Sequence, residues 1–150
     1  MELLKKISSF NAPVEDLITI YITFIRSVLE KSCVVWNSML TEQNILDLER
    51  VQKSVVKLIL KSEYSDYPSA LSRLNPNSLA KRRQILCENF ATKNIKNEKM
   101  KNYFTENINS HTMSTRNPEK YSVTFAHTER LKNSPVIYMQ NLLNRKFMNG

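Results

Sequence analysis

The 150-residue chain contains one glycine, and it is the last residue, Gly150. Average usage of about 7% would place roughly ten in a chain of this length. The deficit excludes whole classes of site. Loops that cradle phosphates and the dinucleotide fingerprint need glycine so that backbone N–H groups can approach the anion. A nucleophile elbow needs it for a strained strand-to-helix turn. Tight two-residue hairpins want glycine in left-handed conformations, which argues against a β-rich meander as well. A helical protein with longer connections, rich in Asn and Ser, remains.

Other scarcities narrow the reading further. The only cysteines, Cys33 and Cys87, are far apart among apolar neighbours. They read as two buried thiols of a reducing compartment rather than a metal cluster or a disulfide. No window reaches 18 uninterrupted apolar residues, so no membrane span is expected. The start, Met1-Glu2-Leu3-Leu4-Lys5-Lys6, lacks the apolar core of a signal peptide. An intracellular protein, nuclear or cytoplasmic, is the expectation. His111 and His127 have no ligand-spaced companions, so neither a metal nor a cofactor is expected. Trp36, the single tryptophan, follows the apolar run Cys33-Val34-Val35 and reads as a core anchor. No catalytic constellation is visible.

Charge, in contrast, is plentiful and uneven. The net charge is +8. Residues 1–75 carry nine basic and nine acidic side chains, whereas residues 76–150 carry thirteen and five. Such asymmetry favours a basic face for a polyanion, most plausibly nucleic acid.

Apolar periodicity predicts an all-α fold. It is a small bundle of two long antiparallel helices and a third, with a less regular basic C-terminal part. Val14, Leu17, Ile18, Tyr21, Ile25, Val28 and Leu29 form the first stripe, opened by Pro13 and running to about Trp36. Ile20, Ile22 and Phe24 widen it, which predicts burial on more than one side. Thr41 caps a second helix carrying Ile45, Leu48, Val51, Val55, Leu58 and Ile59. Glu49 and Lys53 make an i,i+4 pair on it. A short helix spans Pro68 to Leu74, and Asn75-Pro76-Asn77 stops it. Ser78 caps a third long helix with Leu79, Leu86 and Phe90 on its apolar face. Glu98 to Phe104 suggests one more short helix, and residues 105–119 a linker. Tyr121, Val123 and Phe125 alternate as in a brief extended segment or an ordered loop. A last helix starts at Ser134-Pro135 and buries Ile137, Tyr138, Leu142 and Phe147.

Lys81-Arg82-Arg83 is the sharpest electrostatic feature. Three cations in a first helical turn oppose the helix dipole, at roughly 0.3–1 kcal/mol each. Phosphate binding would explain their placement, with Arg supplying a bidentate fork. Pairing with acids elsewhere in the fold would explain it equally well. Arg50, Lys53 and Lys57 form a second basic row, where simple solvation is the stronger alternative.

The order of several short motifs resembles one family. They are Ala12-Pro13-Val14-Glu15-Asp16-Leu17, then Phe24-Ile25-Arg26-Ser27-Val28-Leu29-Glu30 and Val35-Trp36. Leu48-Glu49-Arg50-Val51-Gln52-Lys53, Tyr67 to Leu74, and Ser78-Leu79 with Arg82-Arg83 and Leu86 follow. Phe125-Ala126-His127-Thr128-Glu129-Arg130 and Leu142-Leu143-Asn144 close the series. Together they resemble the region after the palm in reverse transcriptases of non-LTR retrotransposons, LINE- or jockey-like. The family often has proline where Ser27 stands and a basic residue where Ser54 stands. The resemblance implies a thumb over residues 1–75 and a post-thumb region over 76–150. It implies a non-catalytic piece of an RNA-directed DNA polymerase. The polymerase palm carries a Tyr/Phe-x-Asp-Asp motif whose paired carboxylates hold two metal ions, and this sequence has no Asp-Asp pair. The implied partners are RNA or an RNA–DNA duplex, and the palm and fingers of a reverse transcriptase. Lys81, Arg82, Arg83, Arg26, Arg50 and Lys53 are the implied contacts to backbone phosphates. An apolar flank left uncovered would favour self-association. A packing module with no nucleic-acid activity is the alternative.

Overall fold

A computed structural model describes residues 2–74, 77–107 and 120–148 of the chain. The fold is all-α, with no β-strand among the described residues. Most of the predicted linker, with His111, lies outside the described residues, as does the Asn75-Pro76 break. The chain divides into two compact units. One is drawn from residues 1–33 and 40–83, the other from 34–39 and 84–150.

The first unit begins with α1 (Glu2–Ser9) and α2 (Val14–Ile20). The helix then widens into a π-helical segment, Tyr21–Arg26, and returns to α-helix as α3 (Ser27–Glu30). Thr19 and Thr23 sit one turn apart on its exposed side. Their hydroxyls donate to the Glu15 and Thr19 carbonyls at 2.9 and 2.8 Å. Ser27 donates likewise to the Thr23 carbonyl. Back-bonding of this kind competes with the backbone ladder and bends helices. The wider register shifts the apolar stripe. Leu17 and Tyr21 are buried as expected, but Phe24 is 65% exposed and Val28 69% exposed. Ile20 and Ile22 do widen the stripe, packed partly buried against the core, so the correction falls on Phe24 and Val28, which face solvent.

The expected run to Trp36 is also corrected. The helix ends at Glu30, because Lys31 turns extended (ψ 125°) and Ser32 takes a positive φ of 53°. A separate single turn, α4 (Cys33–Trp36), follows, with Trp36 half-buried in it. In a chain without internal glycine, Asn11, Ser32 and Lys61 supply the positive-φ positions.

Helix α5 (Glu42–Leu60) is capped as expected, the Asn44 N–H donating to Thr41 Oγ1 at 3.2 Å. Its buried face packs Val55 and Ile59 against Leu4, Leu17 and Tyr21. Val56 and Leu60 pack against Ala70 of α6 (Tyr67–Leu74), flanked by Tyr64 and Tyr67. At the end of α5, Lys61 Nζ donates to the Ser8 carbonyl at 2.9 Å and ties down α1.

Helix α7 (Leu79–Asn94) starts in the first unit and continues into the second. In the second unit Ala91, Phe104, Tyr121, Met139 and Leu143 form the core. The predicted helix over 98–104 shrinks to one 3-10 turn, Lys101–Tyr103. The segment around Tyr121 makes a single antiparallel bridge with Glu106. Beyond α8 (Glu129–Lys132), helix α9 (Pro135–Met148) holds that segment through two buried amides one turn apart. Asn144 Oδ1 accepts from the Tyr121 N–H at 2.8 Å, and Asn144 Nδ2 donates to the Tyr121 carbonyl at 3.0 Å. Gln140 Oε1 accepts from the Thr124 N–H at 2.9 Å, while its Nε2 donates to the Tyr103 carbonyl at 2.7 Å. Ile137 and Leu142 are buried as expected, whereas Phe147 is exposed, contrary to its predicted burial.

The left-handed backbone at Ser32 carries strain that glycine would relieve. Ser32→Gly should stabilise the fold by about 1 kcal/mol, read as a higher urea midpoint at unchanged slope.

Candidate nucleic-acid interface

The six basic residues singled out in the sequence have different fates. Arg83 is 0% exposed. It shares the buried stripe of α7 with Leu79, Cys87 and Ala91, each four residues from the next. Its expected role at a phosphate is corrected on that ground, since the side chain presents nothing to solvent.

Arg82 points elsewhere, into a cluster within the first unit. Its Nε donates to Glu30 Oε1 at 2.7 Å and its Nη2 to Glu30 Oε2 at 3.1 Å. This bidentate pairing holds the guanidinium more firmly protonated than usual. Arg26 Nε lies 3.8 Å from the same Glu30 carboxylate, and both side chains are largely covered. Two of the expected phosphate contacts therefore share one internal acid.

The N-terminus of α7 explains how its basic first turn is tolerated. The Ala80 N–H donates to Glu49 Oε1 at 2.8 Å, and the Leu79 N–H donates to Gln52 Oε1 at 3.0 Å. Ser78 Oγ accepts from the Lys81 N–H at 3.3 Å, the cap expected from sequence. A carboxylate already occupies the positive end of the helix, where an external anion would otherwise bind. Tyr67 completes the junction by donating its hydroxyl to Glu49 Oε2 at 2.8 Å. The predicted Glu49–Lys53 pair is replaced by these contacts. Lys53 instead sets its Nζ 6.0 Å from the Tyr67 ring centroid, and Lys57 lies 5.3 Å from that of Tyr64.

Lys53, Lys57 and Lys81 remain exposed. Arg50 is exposed too, with Asp47 as its neighbour in an ion pair. Lys53 lies one turn on from Glu49, and Lys81 follows Ala80 in sequence. Both residues thus neighbour members of the Glu49–Ala80 junction, and two tyrosines stand beside the lysine row. Tyr64 and Tyr67 were not anticipated from sequence as part of this surface. Their signal was the Tyr64-Ser65-Asp66-Tyr67 cluster soon after the helix that carries Lys53 and Lys57.

Cys33 and Cys87 are buried and form no disulfide. Among the described residues no group of three or more His, Cys, Asp or Glu could hold a metal ion. His127 is exposed, edge-on to Phe125 with centroids 4.7 Å apart. No helix among the described residues is long and apolar enough to cross a membrane. No family model matches the chain, and no curated protein or solved structure is detectably similar to it.

Two measurements test this junction. Glu49→Ala leaves the Ala80 N–H and the Tyr67 hydroxyl without their acceptor, and should destabilise the fold by about 1–3 kcal/mol in a urea titration. Glu49→Gln, which keeps an acceptor for Ala80, should lose less. The second is alkaline. Burial pushes the Tyr21 phenol up to about 12, against the lowering influence of Arg26. Burial, then the hydrogen bond to Glu49, raises Tyr67 as well. A raised phenol contributes stability that is complete below its ordinary value of about 10 and is lost as the pH climbs through the folded value. Stability should therefore fall between about pH 10 and pH 12, and the double variant Tyr21→Phe, Tyr67→Phe should flatten that fall.

Proposed function

We propose that this chain is a non-catalytic module that holds nucleic acid by its backbone phosphates. Its closest functional analogy is the thumb and post-thumb region of the non-LTR reverse transcriptases that its motifs resemble. The observation that carries the reading is the exposed row of Lys53 and Lys57, set against Tyr67 and Tyr64, with Lys81 at the neighbouring helix start. Ammonium groups on flexible stems make sequence-independent contacts to phosphate, which is what a grip on a moving duplex requires. Arg50 extends the row. Arg82 and Arg26 serve the surface from behind, since Glu30 fixes the α3 end beside the start of α7. The sequence has no paired Asp-Asp to hold two metal ions, in keeping with binding rather than polymerisation.

A fluorescence-anisotropy titration with a labelled RNA–DNA hybrid tests the proposal. Affinity should fall steeply between about 50 and 200 mM salt, by counterion release. The triple variant Lys53→Ala, Lys57→Ala, Lys81→Ala should reduce the log–log salt slope by roughly one per lysine removed. No binding at either salt by protein that remains helical in circular dichroism defeats the proposal.

A second reading, a packing module for another protein chain, is favoured by one observation. Phe24 and Val28, one turn apart, are 65% and 69% exposed. That reading expects concentration-dependent association in sedimentation equilibrium, abolished by Phe24→Lys, with no affinity for the hybrid.

A further inference from the structure

The second unit carries a cleft that the lysine row does not include. It lies where the Lys120-Tyr121 segment meets the last turn of α9, and it encloses about 170 Å³. Ile95, Tyr121 and Leu143 give it an apolar lining, and Lys120, Lys146 and Phe147 complete it. Tyr121 and Leu143 are core residues, and the Tyr121 backbone is clamped by Asn144. The cleft is therefore built on a fixed support. Phe147 is 53% exposed at the end of the helix, next to Met148 at 46%, whereas Ile137, Leu142 and Leu143 of the same helix are buried.

The charges are arranged around the rings. Lys120 Nζ lies 5.7 Å from the Tyr121 ring centroid and 5.2 Å from that of Phe147. Among the described residues it pairs with Glu106, a loose contact at 3.7 Å between exposed side chains. A phosphate can compete for that ammonium at little cost, because exposed pairs of this kind are weak. Lys146 adds a second cation to the lining, and Lys93 and Lys96 stand exposed beside Thr92 and Ile95. The cleft is too small for a helix, and it brings a half-exposed aromatic ring together with two lysines.

We propose that this cleft takes one unstacked nucleotide of a single strand, its base stacked on Phe147 and its phosphate held by Lys120 and Lys146. Single-stranded nucleic acid is recognised by this combination of stacking surface and basic groove. The inference rests on the reading above in taking nucleic acid as the partner, and adds a strand state and a site to it.

The test uses the full chain and three labelled probes: an oligouridylate, an abasic oligomer with the same number of phosphates, and the RNA–DNA hybrid. The oligouridylate should bind more tightly than the abasic oligomer. Phe147→Ala should weaken oligouridylate binding roughly tenfold, in line with the loss of one stacked base. It should leave the abasic oligomer and the hybrid unchanged. Phe147→Leu, which keeps apolar bulk without the π face, should behave like Phe147→Ala. The double variant Lys120→Ala, Lys146→Ala should weaken both single-stranded probes and lower their salt slope by roughly 0.7 per lysine. Equal affinity for the oligouridylate and the abasic oligomer overturns the inference. So does full oligouridylate affinity in either Phe147 variant, or no oligouridylate binding at all. If the hybrid still binds in those cases, only the cleft assignment fails. If the hybrid also fails to bind, the duplex grip falls with it.

Discussion

The first unit depends on the way α7 begins. A helix whose first turn reads Lys81-Arg82-Arg83 places three cations against its own dipole, and it starts cleanly only because α5 supplies the missing acceptors. Glu49 and Gln52, three residues apart on α5, accept from consecutive N–H groups at Ala80 and Leu79. Tyr67 of α6 bonds to the other oxygen of Glu49, so three helices converge on one carboxylate. Glu30 then neutralises Arg82 from the end of α3. The same arrangement determines which cations stay available. Those that serve the junction are covered, and those on its rim, Lys53 and Lys81, face solvent.

The second unit uses neutral groups for a comparable task. Gln140 and Asn144 project from one face of α9 and satisfy backbone groups of a segment bonded otherwise only to residues 105–107 among the described residues. Each amide both donates and accepts, so a stretch with one bridge is also anchored to the helix through its backbone groups. Such amides are expensive to bury unsatisfied, and each has its partners. The segment's register fixes Lys120 and Tyr121 against the end of α9, and with them the cleft beside Phe147.

Long, strongly patterned elements were legible from residue order alone. Helices α5, α7 and α9 lie where their stripes and caps place them, Thr41 and Ser78 included. The helix after Pro13 was not, because a π segment changes the angular step that any periodicity argument assumes. Its end at Ser32 carried no signal, since serine seldom takes a positive φ. Arg82 and Arg83 were misread together because neighbours in sequence suggest neighbours in space. On a helix, adjacent residues point in different directions. The four-residue steps from Leu79 through Arg83 to Cys87 already marked Arg83 as belonging to the buried stripe. Glu49 reaches partners 18 and 31 residues away, Lys120 meets Phe147 across 27, and no local pattern encodes these contacts.

The left-handed turns at Asn11, Ser32 and Lys61 have a consequence beyond the folded state. Each stores a small local strain that glycine would avoid. Yet a chain without internal glycine is also stiffer when unfolded, because every one of its residues has a restricted backbone. The denatured ensemble is correspondingly narrower, and folding gives up less freedom at each position. Part of this protein's stability thus resides in the conformations its unfolded chain is denied, and three strained turns are a small local offset against an advantage spread along its whole length.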